Sequence, residues 1–213
     1  LMGAGRTELV MALFGATKLN EGEVEVEGKP VELKSPADAI RHRIALVTED
    51  RKFYGLNLMA SVEDNIVSVI EKKISRGGFY NKRKGKRCAE EMINKLNIKV
   101  TSPKQLTGNL SGGNQQKVVL AKWLLNDPDI IIFDEPTRGI DVGAKAEIYK
   151  IIEDLACDGK GIIVISSEMP ELIGLSHRMI VLHEGEMTGT LERDELIQEN
   201  IMTLASGYRK EEM

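Results

Sequence analysis

The chain has 213 residues, 42% of them hydrophobic, and its 29 lysines and arginines against 33 acids leave a formal net charge of −4. That is enough chain and apolar content for one large domain, or for a core with one inserted subdomain. The mixed charge argues against wrapping nucleic acid by bulk electrostatics, and the apolar runs Ile130 to Phe133 and Ile162 to Ile165 are far shorter than the roughly 20 residues of a membrane-spanning helix.

In chain order, Gly3-Ala4-Gly5-Arg6-Thr7-Glu8 is a glycine loop, followed by a helix from Thr7 to Phe14 that Gly15 stops. Val24 and Val26 alternate with glutamates before Gly28-Lys29, and Val31 and Leu33 resume the alternation, which predicts a hairpin. Ser35-Pro36 opens a helix through Ile40, and Ile44 to Val47 reads as a short buried strand. From about residue 61 to 106 the pattern is helical and charged, broken by Gly77-Gly78 and Gly85, and predicts a helical subdomain inserted into an α/β core. After Ser111 a helix to Leu125, a strand Ile130 to Phe133, a helix Val142 to Ala156 and a strand Gly161 to Ile165 alternate, as in a mostly parallel sheet. Strands Arg178 to His183 and Glu186 to Leu191, joined at Glu184-Gly185, and a closing helix Asp194 to Ala205 complete the chain.

Three segments carry chemistry. A glycine loop ahead of a helix lets the backbone approach a phosphate and aim its N–H groups inward, although alone it is equally an ordinary tight turn. Leu110-Ser111-Gly112-Gly113-Asn114-Gln115-Gln116-Lys117 places a hydroxyl and two glycines at a helix start, where free N–H groups and the macrodipole attract an anion. Ile130-Ile131-Ile132-Phe133-Asp134-Glu135-Pro136-Thr137 is a buried strand ending in two carboxylates, one able to hold Mg²⁺ and the next able to orient or deprotonate a water.

The last two segments, in this order, resemble the signature and Walker B motifs of ATP-binding-cassette proteins. Thr48-Glu49-Asp50-Arg51-Lys52, Gly139-Ile140-Asp141 and Ser166-Ser167-Glu168-Met169-Pro170-Glu171 extend the likeness over nearly the whole chain. With Gly3 to Glu8, the chain looks like the second nucleotide-binding domain of the two-domain ATPase subunits of bacterial ribose, galactose and xylose importers. The resemblance implies a P-loop ABC ATPase core of α/β class: a mostly parallel sheet, an inserted helical subdomain and antiparallel β elements. Residues 1–213 are then a single nucleotide-binding domain beginning inside its P-loop, because the first glycine of G-x-x-x-x-G-K-[ST] falls upstream of Leu1.

It further implies ATP and Mg²⁺ as cofactors. Gly3, Ala4, Gly5, Arg6, Thr7, Glu8, Glu49 and Ser167 would contact nucleotide, and Thr7, Glu49 and Asp134 would ligand the metal. Glu135 would polarise the attacking water, while Ser111, Gly112 and Gly113 would close over nucleotide held by a partner domain. The implied partners are an N-terminal ABC domain of the same subunit, a membrane permease and, indirectly, an extracytoplasmic sugar-binding protein, at the cytoplasmic face of the membrane and without nucleic acid. Three positions depart from the family pattern: Arg6 stands for Lys, Glu49 for Gln and Ser167 for His. An arginine fork does not substitute for a compact ammonium, a glutamate adds negative charge beside phosphate, and a serine is too short to replace histidine. Together they predict a weakened local site. A regulatory half without hydrolysis of its own, and a soluble non-transport ABC protein, are the alternatives.

The remaining features read more plainly. Lys82-Arg83-Lys84 with Lys86-Arg87 is a basic cluster that reads first as a solvated face, then as a contact with anionic lipid, then with nucleic acid. His42, His177 and His183 lack a ligand constellation, Trp123 reads as a packing residue, and Cys88 and Cys157 read as reduced thiols.

Overall fold

The computed structural model describes residues 4–77 and 79–209. The chain divides into two compact units, Leu1–His42 with Ile163–Met213 and Arg43–Ile162. The first unit opens with α1 (Arg6–Leu13). Gly15 stops it: its φ is +69°, and a Cβ there would lie 2.7 Å from the Ser35 carbonyl oxygen, so both backbone and space require glycine. β1 (Val24–Val26) and β2 (Lys29–Val31) pair antiparallel with Val24 opposite Val31. Their turn is Glu27-Gly28, both at positive φ, one residue earlier than the sequence pattern suggests, because two such residues match the strand twist. α2 (Pro36–Arg41) comes after Ser35, whose hydroxyl donates to Asp38 Oδ2 at 2.7 Å instead of accepting a backbone N–H.

The unit Arg43–Ile162 is built on β3 (Ile44–Val47), buried at all four positions. A π-helical turn, Arg51–Gly55, comes next; it is too short to leave a periodic signal, and the Asp50 carboxylate organises it by accepting the Lys52 and Phe53 N–H groups at 3.0 Å each. Beyond it lie α3 (Val62–Val67), α4 (Glu71–Ile74), the antiparallel ribbon β4 (Ser75–Arg76) and β5 (Phe79–Tyr80), and α5 (Lys82–Lys95). The glycines anticipated as breaks act differently. Gly77 leaves β4 at positive φ, Gly78 lies outside the described residues, and Gly85 is inside α5, where a Cβ would stand 1.9 Å from the Tyr80 hydroxyl oxygen. Ser61 and Leu106 meet in an antiparallel bridge that closes the segment at its stem. Buried Asn65 pins that stem, donating to the Ser61 carbonyl and Thr107 Oγ1, both at 3.0 Å.

α6 (Gly112–Leu124), β6 (Ile130–Asp134) and α7 (Val142–Cys157) complete this unit. β6 pairs parallel with β3, Ile44 opposite Ile130 and Val47 opposite Phe133. β7 (Gly161–Ile165) adds the third strand in the sheet order β3–β6–β7, Gly161 donating to the Asp129 carbonyl at 2.8 Å.

The first unit resumes within β7. α8 (Met169–Leu175) is a short helix without a sequence signal of its own, and β8 (Arg178–His183) pairs antiparallel with β9 (Glu186–Glu192). The expected closing helix from Asp194 is instead a 3₁₀ turn, Arg193–Glu195, and a separate α9 (Gln198–Ala205). A capping box opens the turn: the Glu195 carboxylate accepts the Glu192 N–H at 2.8 Å. Met179, Val181, Leu191, Leu196, Ile201 and Leu204 then pack beneath. His183 Nδ1 lies 2.8 Å from the Ala205 carbonyl, a structural role as anticipated. Among the described residues no helix is long and apolar enough to cross a membrane.

Lys122 of α6 is only 8% exposed and donates to the Gly55 carbonyl at the end of the π-helical turn. Burial pushes its ammonium pKa from 10.5 down to about 8. The unfolded chain therefore binds more protons between those values, so stability rises as pH climbs from about 8 towards 10.5 and the burial cost is in force below 8. At about 1.4 kcal/mol per pKa unit, the Lys122 contribution is on the order of 3–4 kcal/mol across that window. Urea denaturation at pH 7 and pH 10 is expected to show this rise in the parent chain and a flat profile over the same range in Lys122→Met; an identical rise in the variant would contradict the assignment.

Candidate functional site

Ala4, Gly5, Arg6, Thr7 and Glu8 lead into α1; Gly3, anticipated with them, lies outside the described residues. Ala4 is buried and its carbonyl accepts the Gly185 N–H at 3.2 Å. Gly5 is the N-cap at φ +84°, and a Cβ there would lie 3.3 Å from Gly185 Cα, so the β8–β9 turn backs the loop closely. The N–H groups of the first helical turn have no intrahelical acceptors, and the helix end attracts an anion. Thr7 and Glu8 are exposed. Arg6 is half-buried, and its Nη1 donates to the Ser166 carbonyl just past β7 at 2.8 Å.

That bond answers the question the sequence raises about Arg6. Part of its planar fork is committed to a main-chain carbonyl beside Ser167, an arrangement a lysine's point charge has no geometric need to make. The 166–168 turn is fixed in its own right: the Ser166 hydroxyl donates to the Glu171 carboxylate and accepts the Glu168 N–H at 3.0 Å. Arg6 and Ser167, two of the three departures from the family pattern, therefore sit within one local arrangement of the first unit, with Ser167 exposed.

The third, Glu49, belongs to the other unit with Asp134 and Glu135. Because Val47 lies opposite Phe133 in parallel strands, Thr48-Glu49 and Asp134-Glu135 leave the same end of the sheet, the carboxyl end where open α/β sheets bind ligands. Asp134 is 3% exposed. Glu135 is half-buried at φ +49°, a conformation uncommon for a non-glycine residue and one that clusters at functional sites. Glu49 forms an ion pair with Arg138. The negative charge it adds at this strand end is thus offset by a neighbour that sequence reasoning misses, since nothing in the spacing of residues 49 and 138 signals the contact.

Arg51 makes the second contact at this strand end that the sequence does not signal. Its buried guanidinium donates through Nη1 to the Arg138 carbonyl at 2.8 Å and through Nη2 to the Gly139 carbonyl at 3.1 Å. Burial lowers its pKa and Asp50 opposes the shift, but an arginine stays charged. Gly112 closes the group: a Cβ there would stand 2.9 Å from both Arg51 Nη2 and the Gly139 oxygen. One side chain thus ties the turn after Glu135 to the start of α6.

At that start Ser111 has the extended backbone of an N-cap, but its hydroxyl accepts from Asn114 Nδ2 at 3.0 Å and does not cap the helix as anticipated. A Cβ on Gly113 would lie 2.5 Å from Ala144 Cβ, which makes glycine obligatory for the approach of α6 to α7. Asp141 caps α7 by accepting the Ala144 N–H at 3.0 Å. Ser111, Gly113, Asn114, Lys117, Asp141 and Glu147 line an open depression of about 310 Å³.

Among the described residues no cluster of three metal-ligating side chains exists. Within the Arg43–Ile162 unit the oxygens available for Mg²⁺ are the buried Asp134 carboxylate and Glu49, which gives up part of its pairing with Arg138 to act, while the Thr7 hydroxyl, in the other unit, is exposed. This sparse oxygen set fits Mg²⁺, which keeps several waters and takes substrate phosphates as ligands.

Removing the Arg51 fork takes a charged donor from the carbonyls of Arg138 and Gly139, both exposed residues, at a cost of about 1.5–3 kcal/mol for each charge-assisted bond, less where water replaces it. In urea titrations Arg51→Ala is expected to lose roughly 2–4 kcal/mol of stability, with Arg51→Lys restoring less than half because an ammonium does not span both acceptors. An unchanged midpoint for Arg51→Ala would show that the clasp is dispensable.

Comparison with known proteins places these features. A family model described as ABC transporter matches residues 2–138. A Geobacillus kaustophilus (strain HTA426) protein, provisionally named a ribose/galactose/methyl galactoside import ATP-binding protein, is 53% identical over 207 residues, covering 97% of this chain and 41% of that protein. The ribose import ATP-binding protein RbsA of the same strain is 49% identical, covering 97% and 42%. The chain spans about two-fifths of the length of these relatives. Among solved structures, the ATP-binding cassette MJ0796 in a dimeric post-hydrolysis state with ADP and phosphate matches with a TM-score of 0.75 at 22% identity, over 91% of this chain and 82% of that one. The cbiO1 protein from Clostridium perfringens, part of the ABC transporter complex cbiONQ, matches at 0.74 and 21%, over 95% and 78%. The structural likeness identifies the fold of an ATP-binding cassette, and the match to residues 2–138 extends over more than half of the sequence; the chain belongs to the ABC transporter family.

Proposed function

We propose that this chain is the C-terminal nucleotide-binding domain of a sugar-importing ABC ATPase subunit, with a weakened P-loop site of its own and a signature segment that completes the site of a partner cassette. The observation that carries the reading is a contrast. Arg6, at the lysine position, has its guanidinium bonded to the Ser166 carbonyl, whereas Ser111, Gly112 and Gly113 stand at the open N-terminal end of a 13-residue helix. The relatives named for ribose, galactose and methyl galactoside import support the choice of cargo; the setting read with it is an N-terminal cassette of the same subunit, a membrane permease, an extracytoplasmic sugar-binding protein, and the cytoplasmic membrane face.

In this reading the first-turn N–H groups of α1 cradle ATP phosphates, Asp134 holds Mg²⁺ through water, Thr7 and Glu49 serve as further oxygen ligands, and Glu135 orients the attacking water. Bound Mg²⁺ supplies charge neutralisation on the phosphates. Contacts within each unit restrain this chemistry. Arg6 is shared with a carbonyl, Glu49 with Arg138, and Ser167 offers no imidazole. Those contacts equally favour a second reading, in which this half binds nucleotide for regulation and hydrolyses none itself; the subunit remains an ATPase through the partner site. The stem-closed stretch 61–106 is read as the inserted helical subdomain. With exposed Phe53, Tyr54 and Met59 just ahead of it, it supplies apolar surface of the kind a permease would cover.

The contrast sets an order of sensitivity. Ser111→Arg blocks closure over the partner's nucleotide and removes a phosphate-stabilising donor, an effect of about 10²- to 10³-fold in rate. Glu135→Gln should leave much of the turnover intact, because the water it orients faces a nucleotide seldom hydrolysed. ATPase assays of the full transporter carrying each substitution check this. Turnover abolished by Glu135→Gln and spared by Ser111→Arg would make the local P-loop the working site.

A further inference from the structure

The sequence between Glu71 and Glu90 holds eight lysines and arginines and no acid, leaving 21 basic against 33 acidic residues elsewhere in the chain. The structure puts these residues on α4, β4 and the first half of α5. Lys72, Lys73, Lys82, Arg83 and Lys84 are exposed. Lys86 and Arg87 reach back to Glu90 and Glu91 at 3.7 and 2.8 Å, but among the described residues no ion pair engages Lys82, Arg83 or Lys84. These three occupy the first turn of α5, which has no acidic residue. Cations there oppose the helix macrodipole and its unbonded N–H groups, so an anion is the ligand that relieves the arrangement.

A second observation selects the kind of anion. Phe79 on β5 is 83% exposed. Its neighbour Tyr80 turns the other way, as alternate strand residues do, and fills the space left by the missing Cβ of Gly85 in α5. Asn81 fixes the junction: its Oδ1 accepts the Lys84 N–H at 3.0 Å, and its own N–H donates to the Ile74 carbonyl at 3.3 Å. The ribbon is therefore seated on α5 with an aromatic ring presented to solvent beside unpaired cations. A ring that enters the acyl boundary, next to charges that meet headgroups, is the chemistry of a membrane interface. Single-stranded nucleic acid is bound instead by several aromatic platforms along a basic groove.

We infer that the β4–β5 ribbon and the first turns of α5 dock directly on an anionic lipid surface through Lys82, Arg83, Lys84 and Phe79. The inference stands apart from the proposed transport role: lipid contact can fail with the nucleotide chemistry intact.

The test is co-sedimentation of the chain with vesicles of three parts phosphatidylcholine to one part phosphatidylglycerol, against pure phosphatidylcholine. Binding to the anionic vesicles alone is expected, released by salt of about 0.5 M. Replacing Lys82, Arg83 and Lys84 together with glutamine should weaken partitioning about 100-fold, and Phe79→Ser should weaken it several-fold. The same charge removed at Lys18, Lys29 and Lys34 should leave binding unchanged. Equal binding to neutral vesicles, or equal loss from the two charge-matched triples, overturns the proposal. So does tighter, patch-dependent capture of duplex RNA, or self-association of the chain abolished by the same triple. Should the α5 triple prove unfolded by circular dichroism, Phe79→Ser and the salt dependence decide.

Discussion

The parallel pairing of Ile44–Val47 with Ile130–Phe133 sets the position of the Glu49, Asp134 and Glu135 carboxylates in the Arg43–Ile162 unit. With Val47 opposite Phe133, Glu49 and the Asp134-Glu135 pair emerge at one sheet end. A register slip of one residue would turn those side chains to the other face. Arg51 then braces the loops at that end. By donating to the Arg138 and Gly139 carbonyls, with Gly112 pressed against its guanidinium, it makes the turn after Glu135 and the start of α6 one mechanical piece. Gly112 is consequently required by packing as well as by any role at a phosphate.

The three departures from the family pattern are each accommodated. Arg6 bonds a main-chain carbonyl, Glu49 pairs with Arg138, and Ser167 sits in a turn fixed by Ser166 and Glu171. In the proposed reading such contacts compete with a ligand for the same groups, because a nucleotide would have to displace or share them. Groups satisfied by local contacts within each unit, together with a signature helix whose first N–H groups have no intrahelical acceptor, are the physical form of the division of labour proposed for the domain.

Periodicity and punctuation carry most of the fold. Ile44 to Val47, Ile130 to Phe133 and the helix after Asp141 are legible because burial on both strand faces and side-chain capping are local properties of sequence. Reading fails where tertiary contacts or short turns decide. Gly85 looks like a helix break and is a seat for Tyr80; the Arg51–Gly55 π-helical turn is too short for a period; Arg193–Glu195 is a capped 3₁₀ turn separate from the closing helix. At the candidate site the residue types are legible from motifs, but the partners of Arg6, Glu49 and Arg51 are not, since each contact joins positions far apart in the chain.

The central claim is that Arg6 weakens the domain's own nucleotide site, and calorimetric titration of Mg-ATP into the chain and into Arg6→Lys tests it most directly. Weak binding by the parent chain, tightened several-fold by a lysine free to place its ammonium at the phosphates while turnover rises less, is the predicted result. Equal affinity of the two proteins, or turnover of the parent chain at the roughly 1 to 10³ s⁻¹ typical of enzymes, would contradict it.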